Sequence, residues 1–269
     1  MIEMDFYLIL LFVGVGMIAG FVAGFVGVGG GIIMVPVLLE IFRRAGLPEE
    51  IVVQAAMATS LSVAVFSVGS SILRHNRQGR ISWQLVRWLA PGSLLGGWLA
   101  AYLAIQLPGR WLLWGLSALM LFAAIRLLRS TDVPAGKEKP PVVWKTGLTG
   151  LGVGMTAGLS GLAGGVVLVP ALGLILGVPG TWLAGTSSGT ITFSALAAAM
   201  GYLLATPPVP LDSGFVGYVY FPLTISLATG AVPAAQLGAW VNRRVQGNLF
   251  RKIFAVLLLI VVTRLFWTT

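Results

Sequence analysis

The sequence predicts an all-α polytopic membrane protein with two homologous repeats and about 8–10 membrane segments. Three observations support this fold class: an apolar composition, apolar segments of membrane-spanning length, and a glycine-rich phrase that occurs twice. Of the 269 residues, 57% are hydrophobic and only 9% are charged, whereas soluble domains carry about 25% charged residues. The chain is therefore expected to have the bilayer as its solvent.

The apolar segments divide the chain. A bilayer core about 30 Å thick requires roughly 20 apolar residues per helix. Eight segments qualify, at 6–42, 51–73, 83–105, 111–128, 142–177, 181–205, 214–241 and 250–267. The first and fifth are too long for one crossing, and each contains a glycine run that favours a break. We therefore expect a broken or re-entrant helix in both. The acidic start MIEMDFYLIL is expected to stay as a membrane helix, because no small-residue cleavage site follows it.

The glycine-rich phrase occurs at residues 16–36 and again at 150–170. At an offset of 134 positions, seven glycine and proline pairs coincide: Gly16/Gly150, Gly20/Gly154, Gly24/Gly158, Gly27/Gly161, Gly30/Gly164, Gly31/Gly165 and Pro36/Pro170. Further landmarks recur in the same order, namely Ala58-Thr59-Ser60 with Gly185-Thr186-Ser187, and Pro91, Gly96 and Trp98 with Pro233, Gly238 and Trp240. This order predicts transmembrane repeats at 1–129 and 142–269, joined by a polar linker at 130–141.

Loop charge predicts that the two repeats are inverted. The loop after the second segment contains Arg74, Arg77 and Arg80, whereas its counterpart, 206–214, contains no basic residue. The loop after the third segment contains only Arg110, whereas its counterpart contains Arg243, Arg244, Arg251 and Lys252. Loops rich in Lys and Arg stay in the cytoplasm, so the opposite bias suggests opposite orientation. This arrangement leaves Arg43 and Arg44 outside, against the rule.

The glycines of the phrase fall into two groups. Spacing of four, as in Gly16, Gly20 and Gly24 and their counterparts, is typical of tightly packed membrane helices. The adjacent glycines instead allow a turn and leave amides unscreened: Gly29, Gly30, Gly31, Gly164 and Gly165. A helix that begins after such a turn directs free N–H groups and its positive dipole end inward, where they can bind an anion. The alternative is that the break only serves packing.

A cluster of hydroxyls recurs in both repeats. Thr59 and Ser60 lie in the second segment, and the equivalent place holds Thr186, Ser187, Ser188 and Thr190. Such hydroxyls often bond to a carbonyl one turn earlier in their own helix, but their recurrence favours a shared cavity in which they donate to an anion. Gln54 and Gln236 are further candidate donors. We expect these residues and the adjacent glycines to form a substrate site.

Several classes of protein are disfavoured. All eight acidic residues lie at segment ends or in loops, so no buried carboxylate is expected to relay a proton or hold Na⁺. The one histidine, His75, lies in the basic stretch RHNRQGR and is expected to be a solvated loop residue, with a proton relay as the less favoured alternative. Catalytic dyads, metal-ligand clusters and a phosphate-binding loop are absent from the sequence. We expect no enzyme, no cofactor, no metal and no nucleic-acid partner.

The duplicated phrase, GFVGVGGGIIMVP and GLSGLAGGVVLVP, followed by Ala-Thr-Ser and Gly-Thr-Ser, resembles the TauE/SafE family of sulfite and sulfonate exporters over essentially the whole chain. The resemblance implies a multi-pass inner-membrane permease for small sulfur-containing or organic anions such as sulfite, a sulfonate or sulfoacetate. It does not fix the substrate. Ala163 stands where the first copy has Gly29, so the two turns need not contribute equally.

These observations lead to a secondary transporter that works by alternating access, with the anion held between the repeats. The bilayer and the anion are the expected partners, while a coupling ion (H⁺ or Na⁺) and a homo-oligomer stay open. An anion channel is the main alternative, because sequence does not show whether both gates open together. A membrane-embedded enzyme or an assembly factor is less favoured, since neither clustered catalytic residues nor an interaction domain is present.

Overall fold

The computed structural model describes residues 6–129, 143–242 and 263. Within them the chain forms nine α-helices and one small hairpin. The helices are α1 Phe6–Val26, α2 Gly31–Arg44, α3 Val52–Arg77, α4 Trp83–Gln106, α5 Gly109–Arg129, α6 Val143–Ser160, α7 Gly165–Leu174, α8 Gly180–Leu204 and α9 Phe221–Asn242. Strands β1 (Phe215–Val216) and β2 (Val219–Tyr220) pair antiparallel, with Phe215 opposite Tyr220. The linker 130–141, the basic cluster 243–252 and nearly all of segment 250–267 lie outside the described residues.

The all-α polytopic fold is confirmed. Of the helices in the described residues, four are long and apolar enough to cross a membrane: α1, α3, α4 and α8. Many of their small residues are buried and many of their large apolar side chains are exposed, although α3 also buries Met57 and Leu61. In α1, for example, Gly20 and Ala23 are buried, whereas Tyr7 is 83% and Leu10 61% exposed. Helices in lipid associate through close backbone packing, because large apolar side chains gain little by leaving the lipid.

Both long segments break at their glycine runs. The first becomes α1 and α2, and the fifth becomes α6 and α7. Gly29 and Gly30 adopt left-handed φ angles of 96° and 66°, and Gly164 adopts 84°, a region open to glycine at little cost. Ala163 lies at φ 57° and is the single non-glycine residue with positive φ in the described ranges. The helix breaks predicted from the glycines are therefore present.

The glycine ladders pack helices, as their spacing indicates. A Cβ atom built on Gly20 would lie 2.5 Å from the Cα atom of Ala231 in α9. A Cβ on Gly154 of α6 would lie 2.5 Å from the amide nitrogen of Gly97 in α4. Backbone thus meets backbone along α1–α9 and α6–α4, with helices from the two halves of the chain as partners.

The helix directions define two ends of the bundle. We call the end with the turn 78–82 the basic end and the end with the β-hairpin the hairpin end. Helix α9 starts at the hairpin end, directly after β2, and α1 runs parallel to it, since Gly16, Gly20 and Gly24 meet successive turns of α9. Helix α4 starts at the basic end, and α6 follows it in the same way. Helices α1 and α6 therefore enter from opposite ends.

Candidate functional site

The two glycine turns, 27–31 and 161–165, contact each other in the interior. A Cβ atom on Gly29 would lie 2.8 Å from the Cβ of Ala163, and one on Gly31 would lie 2.9 Å from the Cα of Leu162. A Cβ on Gly165 would lie 2.7 Å from the carbonyl oxygen of Gly27. Every residue of both turns is buried. Only glycine lets two backbone turns approach this closely, which accounts for the adjacent glycines.

Two helix N-termini start at this junction. The N-cap residues of α2 and α7 are Gly30 and Gly164, both left-handed and both without a side-chain cap hydrogen bond. The Gly30 carbonyl accepts from the amides of Ile33 and Met34 at 3.1 and 3.2 Å. The amide of Gly31 donates to the Gly29 carbonyl at 2.8 Å, so of the predicted anion donors this one is occupied here. The ends of α2 and α7 bring positive helix-dipole potential into the buried region.

Ser60 and Ser187 each bond to the glycine turn of the other half of the chain. The Oγ of Ser60 donates to the Gly161 carbonyl at 3.1 Å, and the Oγ of Ser187 donates to the Gly27 carbonyl at 2.6 Å. Both serines are fully buried. The structure thus brings these two predicted site residues to the junction, where in this conformation they hold the turns.

Thr59 and Thr186 lie beside these serines but act as acceptors. The Oγ1 of Thr59 accepts from the backbone amide of Tyr220, which precedes α9, at 3.2 Å. The Oγ1 of Thr186 accepts from the backbone amide of Ser82, which precedes α4, at 3.1 Å. Thr59 therefore links the start of α9 to α3, and Thr186 links the start of α4 to α8.

Gln54 and Gln236 join helices elsewhere. The Nε2 of Gln54 donates to the Leu107 carbonyl at 3.0 Å, at the end of α4. The Nε2 of Gln236 donates to the Oγ of Ser70 at 2.9 Å. Neither amide donates to a glycine turn. Gln54 is buried but borders an open cavity of about 560 Å³ at the hairpin end, together with Leu107 and Tyr218.

A second open cavity at the hairpin end, of about 600 Å³, is lined largely by charged side chains. Its lining includes Glu40, Arg43, Arg44, Glu49 and Arg110. Arg44 pairs with Glu40 at 2.7 Å and Arg43 with Glu49 at 3.5 Å. On the adjacent hairpin, burial raises the pKa of Tyr218 and of Tyr220, the latter also through the charge of Asp212. Among the described residues, no group of three or more metal-ligating side chains is present.

Sequence reasoning placed His75 wrongly. It is fully buried rather than solvated, because α3 continues to Arg77 and carries the histidine on its inner face. Its Nε2 donates to the Gly24 carbonyl of α1 at 3.1 Å, and its Nδ1 is buried without a hydrogen-bond partner. The signal was available: the buried residues Ser67, Ser71 and His75 lie four positions apart, on one helix face.

Two residues at or near the junction, Ser194 and Tyr202, were not among the candidate site residues, and Ser188 of the predicted hydroxyl cluster lies on the same helix. The Oγ of Ser194 donates to the Ala163 carbonyl at 3.0 Å. The Oγ of Ser188 is buried without a hydrogen-bond partner. The hydroxyl of Tyr202 donates to the Gly158 carbonyl of α6 at 2.8 Å. Periodicity identifies the side chains of Ser194 and Tyr202 as core-facing, but only the fold shows which carbonyl each hydroxyl meets.

The chain resembles known proteins along nearly its whole length. A family profile described as Sulfite exporter TauE/SafE matches residues 12–265. A probable membrane transporter protein of Haemophilus influenzae is 26% identical, covering 97% of this chain and 99% of its own. Similar proteins of Methanocaldococcus jannaschii and Bacillus subtilis, both called probable membrane transporter proteins, are each 27% identical over 96% of this chain, and the matches cover 95% and 97% of their own lengths.

No solved structure matches the chain. The helical membrane fold, the extent of the family match and the length shared with the relatives all agree. They identify a multi-pass membrane transporter rather than an enzyme. The chain belongs to the sulfite exporter TauE/SafE family.

Proposed function

We propose that this protein is a secondary transporter that moves a small organic or sulfur-containing anion, of the sulfite, sulfonate or sulfoacetate class, by alternating access. The observation that carries the proposal is the meeting of two uncapped helix N-termini, those of α2 and α7, at glycine turns in contact with each other. They reach this point from opposite ends of the bundle. A site built this way is accessible in turn from each side when one half moves against the other.

The chemistry of the junction favours a reversibly bound anion. Helix N-termini attract negative charge through free N–H groups and the helix dipole. The helices around the glycine turns bring no cation and no carboxylate to them. This holds for α1, for the first turns of α2, for the buried part of α3 and for α8. An anion held by amides and hydroxyls keeps its charge and is not trapped by a buried ion pair, so it can be released.

The serines are proposed to serve two states. In the state described, Ser60 and Ser187 donate to turn carbonyls. The hydroxyl hydrogen of a serine rotates about the Cβ–Oγ bond to suit its acceptor, and the group has one proton to donate. When the turns separate to admit an anion, the same protons become available to it, together with amides of the first turns of α2 and α7. Thr59 and Thr186 then position the serines rather than contact the anion.

We further infer that 1–129 and 142–269 are inverted repeats. The ladder α1–α9 corresponds to the ladder α6–α4, and Ser60 with Gly161 corresponds to Ser187 with Gly27. The basic end is proposed to face the cytoplasm. Among the described residues it carries Arg74, Arg77, Arg80, Arg87 and Lys145, against Arg43, Arg44 and Arg110 at the hairpin end, a bias in the direction of the positive-inside rule.

The proposal is tested by anion binding to purified protein, with sulfite and methanesulfonate as probes. The variant Ser60→Ala plus Ser187→Ala should weaken binding at least tenfold, because a hydrogen bond to a charged group contributes about 1.5–3 kcal/mol. Ser71→Ala is the matched control, since its buried Oγ donates within its own helix to Val68 at 2.7 Å. Equal affinity of the double variant and wild type would remove the serines from the site.

Transport mode is tested separately, because an anion channel is the competing function. In proteoliposomes loaded with unlabelled sulfite, a carrier gives counterflow of labelled sulfite and a flux that saturates with concentration. A channel gives a conductance that does not saturate and no counterflow. The buried junction suggests that the bound anion is trapped between two gates, so we expect counterflow and a flux that saturates.

A further inference from the structure

Each half contains a side-chain hydrogen bond to a glycine carbonyl at the equivalent place. The donor is an imidazole in one half and a phenol in the other. At the basic end, the Nε2 of His75 in α3 donates to the Gly24 carbonyl of α1 at 3.1 Å. At the hairpin end, the hydroxyl of Tyr202 in α8 donates to the Gly158 carbonyl of α6 at 2.8 Å. The pair His75/Tyr202 has the same offset as Ser60/Ser187, and Gly24/Gly158 has the offset of the glycine phrase. Each bond fixes the helix turn that leads into a glycine turn.

Only one of the two donors can change its charge near neutral pH. An unperturbed imidazole titrates near pH 6.5, whereas a phenol titrates near 10. The acceptor of His75 is a carbonyl, which cannot donate, so the bonded Nε2 carries a hydrogen. In the neutral ring Nδ1 then holds a lone pair, and it has no hydrogen-bond partner although it is buried. This nitrogen is the place where a further proton would bind.

The surroundings of His75 do not accommodate the protonated ring. The ring contacts α1 and α8 and lies next to the turn 78–82, and α9 packs against the same helix, α3, one turn earlier at Ser70. Helices α1, α8 and α9 contain no charged residue in their described spans, and the turn contributes the cation Arg80. On its own helix the nearest charges are Arg74 and Arg77, also cations. Among the described residues, an imidazolium here would face the like charge of Arg80 and no carboxylate, with its Nδ1–H unbonded.

From this geometry we infer that His75 is the proton-binding site that opens the basic end of the transporter. Proton uptake at Nδ1 favours a conformation in which the ring leaves its buried position, releases the Gly24 carbonyl and reaches water. Loss of the proton restores the buried bond and closes this end. The Tyr202 bond at the hairpin end lacks this dependence, so protons act from one side. The inference rests on the proposed alternation between two open states, but not on the identity of the anion.

The chain offers clean reporters for the test. It contains no cysteine and a single histidine, so one introduced thiol or one labelled imidazole gives an unambiguous signal. Ser188→Cys places a thiol at a fully buried position in the half of α8 nearer the basic end, where the native hydroxyl has no partner to lose. Leu61→Cys is the matched reporter for the hairpin end, fully buried at the equivalent position of α3.

The experiment measures modification of each thiol by a membrane-impermeant reagent in full-length protein in liposomes, from pH 8 to pH 5.5. Each rate is divided by the rate of the same thiol in denatured protein at that pH, because thiolate content varies with pH. The normalised rate of Ser188→Cys should rise by up to about tenfold per pH unit as His75 takes up its proton. The rate of Leu61→Cys should not rise.

Two substitutions exchange the imidazole and phenol donors between the two ends. His75→Tyr keeps a donor for Gly24 and should make Ser188→Cys labelling independent of pH. Tyr202→His should make the Leu61→Cys reporter respond to acid. Persistence of the pH response in His75→Tyr would overturn the inference. So would nitrogen NMR of the labelled histidine in otherwise wild-type protein, if it showed a neutral ring throughout the range in which Ser188→Cys labelling rises.

The outcome is separable from that of the proposed function, since neither labelling nor NMR needs an anion. Flat labelling would refute the proton site and leave the anion site standing. Absence of sulfite and methanesulfonate binding, with labelling that follows pH as described, would refute the substrate class and leave the proton site standing.

Discussion

The contact between α1 and α9 predicts that Gly20→Ala will destabilise the protein strongly. A Cβ atom at this position would lie 2.5 Å from the Cα of Ala231 and 2.7 Å from its carbonyl carbon. Ordinary contact begins near 3.4 Å, so the first distance is about 0.9 Å too short. Both opposing atoms belong to a helix backbone, which cannot rotate away as a side chain can. The helices must separate along the ladder.

The magnitude follows from what separation removes. Overpacking a well-packed interior costs about 1–3 kcal/mol, and a rigid backbone partner places this substitution at the upper end. For a domain of this size, 1 kcal/mol corresponds to about 2–4 °C in melting temperature. Gly20→Ala is therefore expected to lower the melting temperature of the detergent-purified protein by about 6–12 °C.

The matched control lies on the same helix. Gly14 has no atom within 4 Å of its would-be Cβ, so Gly14→Ala should melt at or slightly above the wild-type temperature, as alanine favours helix over glycine. The reasoning would be refuted if the two variants melted together, or if Gly20→Ala melted as wild type does.

Three further substitutions test individual contacts by melting temperature. Gly164→Ala should destabilise by at least about 2 kcal/mol, since φ is 84° and the new Cβ would lie 2.5 Å from the Val153 carbonyl oxygen; a wild-type melting temperature would contradict the left-handed cap. Tyr202→Phe should cost about 1–3 kcal/mol by leaving the buried Gly158 carbonyl unbonded, whereas Tyr102→Phe, 59% exposed, should cost nothing measurable. Ser188→Ala should be neutral or stabilising by about 1 kcal/mol, because its buried hydroxyl has no partner; a large loss would reveal a bond formed in another state.

The helix breaks and the ladders were predictable because glycine acts locally. Three adjacent glycines at 29–31 permit left-handed backbone wherever the rest of the chain lies, and glycines spaced by four place a smooth strip on one helix face. The partner of each strip was not predictable. Gly20 shows that a helix packs closely there, but nothing near Gly20 indicates that Ala231, in the other half of the chain, is what it meets.

The hydroxyl residues lie in two helices that reach the glycine turns, but the sequence did not indicate their hydrogen-bond partners. A hydroxyl both donates and accepts, so Thr59 and Ser60, adjacent in sequence, take opposite roles: one accepts from Tyr220 and the other donates to Gly161. His75 was misplaced for a related reason. Arginines around it indicate a solvated loop, yet on a helix the same spacing directs Arg74 and Arg77 away from the side that buries the histidine.

The correspondence between the two halves bears directly on how such a protein changes state. In the proposed alternation, opening either end breaks one serine bond and one ring bond to a helix that leads into a glycine turn, so the two open conformations would lose equivalent contacts and differ little in free energy. A transporter needs that near-equality, because a ligand shifts an equilibrium only by its differential affinity for the two states. Small asymmetries then decide which state prevails. Ala163 in place of a glycine strains one turn by about 1–2 kcal/mol, and His75 in place of a tyrosine is the group proposed to make the basic end respond to protons. Exchanging either residue for its counterpart should therefore change the balance between the two open states while leaving the helices in place. The measurement is the ratio of Ser188→Cys labelling to Leu61→Cys labelling.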